Sequence, residues 1–395
     1  MKVAIFSSTL WPLGSGGELA TYLYAKLMRS LGVDPIFILN ELDEASLQRH
    51  EFKLLKPRRA GKGKYAIALD IKALIEVLRN IDVAYFVASN LELIPFVKKF
   101  SGKPVVVHVH SYYPLCPVGH MHNFYRGEVC DGGWGDCAKC IWVYEAQRRS
   151  FPEAFLSTTL NATVGGFFLG TLSMADAVVF VSEAQRKLFL ENASKRGFNI
   201  DHKKTYIVYN PLPNLEFVEI EGDDLGFLGG FDPIKGFEVL FKAWHKVYPK
   251  YQQNKLYVTK GKHIRSFERM GIVVYRRLMP PSEILTVIRK VRALVVPSLS
   301  PEPAPYACVE ACLYGRLLIA SDIGGIPEIV GGLPGVKLTP PGDESELADA
   351  LEWALSMSRE EVVELGLKNR EGVLSRFNNF KSAKELLKIF ERVSR

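Results

Sequence analysis

Ala293-Leu294-Val295-Val296-Pro297-Ser298-Leu299-Ser300-Pro301-Glu302-Pro303-Ala304-Pro305-Tyr306-Ala307-Cys308-Val309-Glu310-Ala311 reads as a buried strand, a loop, and a short helix. The strand signal is the apolar run Ala293–Val296, which leads directly into Pro297. Pro303 and Pro305 keep the helix from starting earlier, and proline suits a first helical position. Gly315 is placed to end the helix. Glu302 therefore falls on a strand-to-helix loop. Glu310 falls inside a helix whose neighbours are Ala, Cys, Val and Leu. A carboxylate in that company is costly to bury unless something binds it, and ribose hydroxyls are suitable partners. The plain alternative is that Glu310 faces solvent. The helix start offers free amides and a positive dipole end to a phosphate.

The same strand-and-helix unit repeats outward in both directions, as expected for parallel α/β sheets. Downstream of residue 224, strands are predicted at Leu225–Gly229, Lys255–Thr259, Ile272–Tyr275, Ala293–Val296 and Leu317–Ser321. Helices are predicted at Phe237–Val247, Ser282–Arg289 and Tyr306–Tyr314. Upstream, strands are predicted at Lys2–Ser8, Pro35–Asn40, Val83–Ser89, Pro104–His110, Ala177–Ser182 and Thr205–Tyr209, with helices at Glu18–Leu31 and Ile71–Asn80. The β-branched run Val105-Val106-Val107-His108-Val109 suits a strand covered on both faces. Asn210-Pro211-Leu212-Pro213-Asn214 is a stiff connector. The expected organisation is a Rossmann-like domain over 1–208, a linker over 209–224, a second Rossmann-like domain over 225–370, and a helical segment over 371–395. The charged stretch Ser358 to Arg395 has no strand pattern, so it is expected to pack outside the second sheet. Open α/β sheets bind ligands beyond the carboxyl ends of their strands, so the cleft between two facing domains is the expected site.

Composition bounds the function. The chain has 395 residues, 48% hydrophobic and 24% charged, which suits two globular domains and excludes a disordered chain. The net charge of +7 permits an anionic ligand or membrane surface without identifying either. Positive charge concentrates at Lys53, Lys56, Arg58, Arg59, Lys62 and Lys64, either a solvated loop or a headgroup-binding patch. No nucleic-acid motif accompanies it, so nucleic acid is not an expected partner. The start Met1-Lys2-Val3-Ala4-Ile5-Phe6 reads as a strand and not as a signal peptide, and a cytoplasmic protein, at most at the inner face of the membrane, is the expectation.

Four further clusters carry chemistry. Leu228-Gly229-Gly230-Phe231-Asp232-Pro233-Ile234-Lys235-Gly236 follows a strand; its glycines let backbone approach phosphate and Lys235 adds charge. Gly14-Ser15-Gly16-Gly17-Glu18 lies too far past its strand for a dinucleotide fingerprint, which argues against a dehydrogenase and for a loop touching phosphates. His110 ends a strand, where a cleft residue belongs. Cys116, Cys130, Cys137 and Cys140 share one loop; a structural zinc, a bridge and packed thiols are all open readings. Cys308 and Cys312 read as small core residues.

The run from Ala293 to Val330 resembles the C-terminal domain of retaining glycosyltransferase family four, the group one glycosyl transferases, which have two facing Rossmann-like domains (GT-B). Glu302 and Glu310 match that family's E-x-seven-E motif, and Gly324-Gly325-Ile326-Pro327-Glu328-Ile329-Val330 matches the turn that follows it. Gly16-Gly17, His110, Val181-Ser182, Asn210-Pro211 and Lys235-Gly236 are similar along nearly the whole chain. The resemblance implies a retaining transferase that moves a sugar from a nucleotide-diphosphate donor to a hydroxyl. Glu310 would hold the ribose, and Glu302 would face the donor sugar. Lys235 and Gly16-Gly17 would cradle the diphosphate, and His110 would contact the sugar or the acceptor side. The family often has arginine where Gly230 stands; Lys260 or Lys262 is a candidate substitute. It often has glycine where Pro305 stands. No Asp-x-Asp motif lies where a donor site would need it, so neither a catalytic metal nor a cofactor is expected. The apolar stretch Trp142 to Leu172 points to a lipid-linked acceptor and peripheral membrane contact, or to core packing. A polysaccharide acceptor fits equally. The rival readings are a sugar-nucleotide epimerase of the same architecture, which uses water in place of the acceptor, and a catalytically silent binding protein.

Overall fold

The computed structural model describes residues 1–41, 51–56, 59–60, 67–68, 71–87, 89–259, 261, 265–275 and 281–395. Arg58, Lys62 and Lys64 of the basic cluster lie outside the described residues, as do Lys260 and Lys262. The chain forms two compact units, one of residues 1–211 with 378–395 and the other of residues 212–377.

The first unit is built on a seven-stranded sheet in the order Thr205–Ile207, Ala177–Phe180, Val105–Val109, Val83–Phe86, Lys2–Ser7, Asp34–Leu39, Lys53–Leu55. Every neighbouring pair is parallel. The central strands are buried on both faces, which explains their continuous β-branched and aromatic sequence. The order reverses between Lys2–Ser7 and Val83–Phe86, and the loops beyond that point make the natural ligand crevice.

The second unit repeats the plan with six parallel strands in the order Ile272–Tyr275, Leu256–Thr259, Asp224–Phe227, Val291–Val296, Leu317–Ser321, Val336–Thr339. Its reversal lies between Asp224–Phe227 and Val291–Val296. Segment 212–221 runs over this unit and is held by Arg316. This arginine is fully buried and donates to the carbonyls of Val218 (2.6 Å), Tyr314 (2.9 Å), Ile288 (3.0 Å) and Glu219 (3.2 Å). With the Gly315 carbonyl at 3.4 Å, five carbonyl dipoles substitute for a carboxylate partner there.

The C-terminal stretch corrects the expectation that all of Ser358 to Arg395 packs outside the second sheet. Helix Arg359–Arg376 belongs to the second unit, but Asn379–Val393 belongs to the first. Its Leu386, Ile389 and Phe390 join the core formed by Val3, Ile5, Tyr24 and Tyr85, with Phe390 edge-on to Tyr85 at 5.2 Å. The spacing of those residues says that one helix face is buried. It does not say against which sheet.

Candidate functional site

In the second unit, the two loops at the reversal of strand order carry the residues singled out by sequence. Lys235 lies beyond Asp224–Phe227 and Glu302 beyond Val291–Val296. They are 67 positions apart in the chain, yet Lys235 Nζ lies 2.5 Å from Glu302 Oε1. Ser298 Oγ donates to the same oxygen at 3.1 Å. Asp232 caps a single 3₁₀ turn, Pro233–Lys235, by accepting from Ile234 N–H. Leu299 N–H donates to the Ile234 carbonyl at 2.8 Å and ties one loop to the other.

Two glycines make this approach possible. Gly236 has φ 77°, and a Cβ on it would fall 1.9 Å from the Pro297 carbonyl oxygen. A Cβ on Gly324 would lie 2.5 Å from the Glu302 carbonyl oxygen, and Gly325 N–H donates to that oxygen at 2.7 Å. The glycine-rich turn therefore holds the Glu302 backbone. Gly236→Ala is expected to lower unfolding stability by about 2–4 kcal/mol, the cost of a left-handed non-glycine residue plus the displaced strand end. A melting temperature equal to that of the parent would refute this account of the loop.

Burial works against the Lys235 ammonium, but the Glu302 and Asp232 carboxylates outweigh it and hold its pKa above the ordinary lysine value. Glu310 sits four residues into helix Tyr306–Leu313 and is half-buried. Burial pushes its carboxyl up to about 7. No hydrogen bond or ion pair reaches that carboxyl among the described residues. Pro305 takes the N-cap position, one residue outside the helix.

In the first unit, Gly16 and Gly17 form the first turn of helix Gly16–Ser30 and not a separate loop. Glu18 locks this turn. One carboxylate oxygen accepts from Ser8 Oγ (2.7 Å), and the other from Ser15 N–H (2.8 Å) and Ser15 Oγ (2.7 Å). Burial opposes the Glu18 carboxylate, but these bonds bring its pKa below the ordinary range. Gly17 lies against His110; a Cβ there would be 3.2 Å from the His110 Cβ. His110 is half-buried as a residue, yet among the described residues neither ring nitrogen meets solvent or a hydrogen-bond partner. Burial lowers its pKa to about 4, against the pull of Glu18, so the ring is neutral.

Sequence reading missed what lies beneath His110. His108 is fully buried, 4.3 Å from His110 ring to ring, and its Nδ1 is 2.6 Å from Tyr85 Oη. Alternation along the strand would place His108 and His110 on one face, which was the available signal.

The cysteine loop carries thiols, and all six cysteines are free. Cys140 Sγ accepts from Phe124 N–H (3.3 Å) and donates to the His122 carbonyl (3.5 Å). Cys137 Sγ donates to the Gly133 carbonyl (3.5 Å) and accepts from Arg196 Nη2 (3.3 Å). Burial pushes Cys140 up to about 11 and raises Cys130 and Cys137. Among the described residues, no three His, Cys, Asp or Glu side chains are arranged to hold a metal ion.

Residues 222–357, which contain Lys235, Glu302 and Glu310, match the family model described as glycosyl transferases group 1. The chain is 24% identical to alpha-maltose-1-phosphate synthase of Mycolicibacterium smegmatis, with 100% of both chains covered. A segment covering 29% of each chain is 31% identical to the amylovoran biosynthesis glycosyltransferase AmsK of Erwinia amylovora. HepE of Anabaena, solved in complex with UDP-glucose, matches with a TM-score of 0.69 at 16% identity over 99% of this chain and 100% of that one. The two parallel-sheet units thus have the GT-B fold, and the family match together with the curated relatives supports glycosyltransferase activity.

Proposed function

We propose that this chain is a retaining, metal-independent hexosyltransferase. It moves a sugar from a nucleotide-diphosphate donor to the hydroxyl of a lipid-linked or polysaccharide acceptor. The observation that carries this reading is the Lys235–Glu302 contact at the strand-order reversal, where a α/β sheet receives its ligand. Lys235 stabilises the departing diphosphate, assisted by the amides at the start of helix Tyr306–Leu313. Glu302 faces the donor sugar, and Glu310 accepts hydrogen bonds from the ribose. Gly16 and Gly17 offer helix-start amides to phosphate, and neutral His110 contacts the sugar or the acceptor. The acceptor attacks the face that the diphosphate leaves and passes its proton to a departing phosphate oxygen. Configuration is retained and no protein base is needed. UDP-glucose in HepE of Anabaena makes UDP-sugars the first donors to try.

Calorimetry with UDP-, GDP- and ADP-sugars tests the donor assignment; binding of none of them would overturn it. Mass spectrometry of the productive donor with crude lipid and glycan acceptors separates transfer from epimerisation, which releases nucleotide without a sugar adduct. Transfer is expected to survive EDTA, because Lys235 and the helix amides supply the positive charge. A loss of more than about tenfold that magnesium or manganese restores would remove the metal-independent part of the proposal.

A further inference from the structure

We propose that helix Phe151–Thr171, with the turn that precedes it, docks on an anionic lipid bilayer. From Ala154 to Ala175 the chain has no charged residue. The buried face of the helix, which includes Ala154, Asn161, Gly165, Phe168 and Leu169, accounts for only part of this run. The outward face carries Phe151 (73% exposed), Phe155 (61%), Leu156 (60%) and Phe167 (56%), with Thr159, Ala162 and Thr163 between them. A helix face meant for water carries charges along its length; this one has none after Glu153, which is spent on capping Ser150. The structure therefore decides against core packing for much of the stretch from Trp142 to Leu172.

The ends of the helix identify what covers it. The preceding turn holds exposed Arg148 and Arg149. Arg149 pairs with buried Glu145 (2.6 Å), and Arg148 stacks over Tyr144 (3.8 Å). At the far end Lys98 pairs with Asp176, and the next residues, Lys99 and Phe100, are exposed, with Phe100 65% so and the Lys99 ammonium over its ring. Met174 is exposed beside them. Both ends thus carry aromatic rings and exposed cations, Arg148 and Arg149 at one and Lys99 at the other, beside the carboxylates of Glu145, Glu153 and Asp176, which are held in ion pairs or a cap, and the span between them is uncharged. A second copy fits this pattern poorly, because parallel or antiparallel pairing brings basic end to basic end. A bilayer surface fits it: acyl chains take the phenylalanines and anionic headgroups take the cations.

The helix has 21 residues, about 30 Å of length. No helix among the described residues is long and apolar enough to cross a membrane, so this one lies on the surface. It also packs on the loop after His110, with Phe168 5.9 Å from Tyr113, so docking sets that loop near the lipid. The inference rests on the surface alone and not on the transferase reading, and its test needs no donor.

The full chain is floated with vesicles of mixed phosphatidylglycerol and phosphatidylcholine, and with phosphatidylcholine alone. Binding is expected to the anionic vesicles and to weaken at high salt. The exposed double variant Phe155→Ser/Leu156→Ser should keep the parental melting temperature and bind about tenfold or more weakly. The proposal is overturned if the parent ignores both vesicle types, or if the double variant binds equally well. It is also overturned if light scattering shows a dimer that the double variant abolishes while vesicles remain unbound.

Discussion

Replacing Lys235 with alanine is expected to lower kcat for sugar transfer by roughly a thousandfold, with a much smaller change in donor KM. In sugar transfer the largest new charge develops on the leaving diphosphate. Lys235 is a cation that the second unit presents at its strand-order reversal, with its ammonium 2.5 Å from Glu302. Its raised pKa keeps it charged across the neutral range. The substitution has a second consequence that must be separated from the first. It leaves the Glu302 carboxylate, 14% exposed, with Ser298 as its one hydrogen-bond partner among the described residues. A double variant, Lys235→Met with Glu302→Gln, removes both charges at once. If the pair only braces the loops, the double variant recovers activity toward the parent. If Lys235 meets the phosphate, activity stays low whatever stands at 302. Lys235→Arg should recover part of the rate, since the charge is kept and the geometry is not. A loss below about tenfold in Lys235→Ala would refute the assignment.

The sequence made the two parallel sheets legible because their central strands are buried on both faces and carry apolar runs, Val105–Val107 and Ala293–Val296 among them. Lys53–Leu55 and Val336–Thr339 were not foreseen, being edge strands whose side chains, Thr339 apart, are half-exposed or exposed and hence form no such run. The docking of Asn379–Val393 was not legible either. Amphipathicity shows that a helix has a buried face, while its partner depends on the fold. The site shows the same division. Glu302, Glu310 and Lys235 stand out by residue type and by position after strands. That Lys235 and Glu302 touch follows only from the strand order, which makes their two strands neighbours. The Tyr85–His108 contact beneath His110 links two adjacent strands and was hidden for the same reason.

Glu310→Ala is expected to weaken donor binding by roughly tenfold to a hundredfold, the worth of hydrogen bonds to a charged acceptor. The turnover of bound donor should change less, because ribose contacts are the same in the ground state and the transition state. The structure adds a pH dependence with a definite sign. Glu310 has its pKa raised from 4.5 to about 7 by burial, with no partner among the described residues to offset it. The folded state therefore holds this proton more tightly than the unfolded chain. The carboxyl is at no disadvantage below about pH 4.5; the stability it withholds from the fold grows as pH rises and is complete above about 7. Glu310→Gln should match the parent in stability near pH 4.5 and exceed it near pH 8, by at most about 3 kcal/mol and less where water reaches the carboxyl. Donor binding must run the other way, because the ionised carboxylate is the better acceptor for ribose hydroxyls. Affinity in the parent should rise through pH 7, and the glutamine variant should lose that rise. A residue that only packs the helix would still show the stability slope, which burial alone produces, but not the affinity slope. Denaturant melts and calorimetric titrations at pH 5 and pH 8 measure both, and a glutamine variant whose donor affinity keeps the parental pH profile would dismiss Glu310 from the ribose.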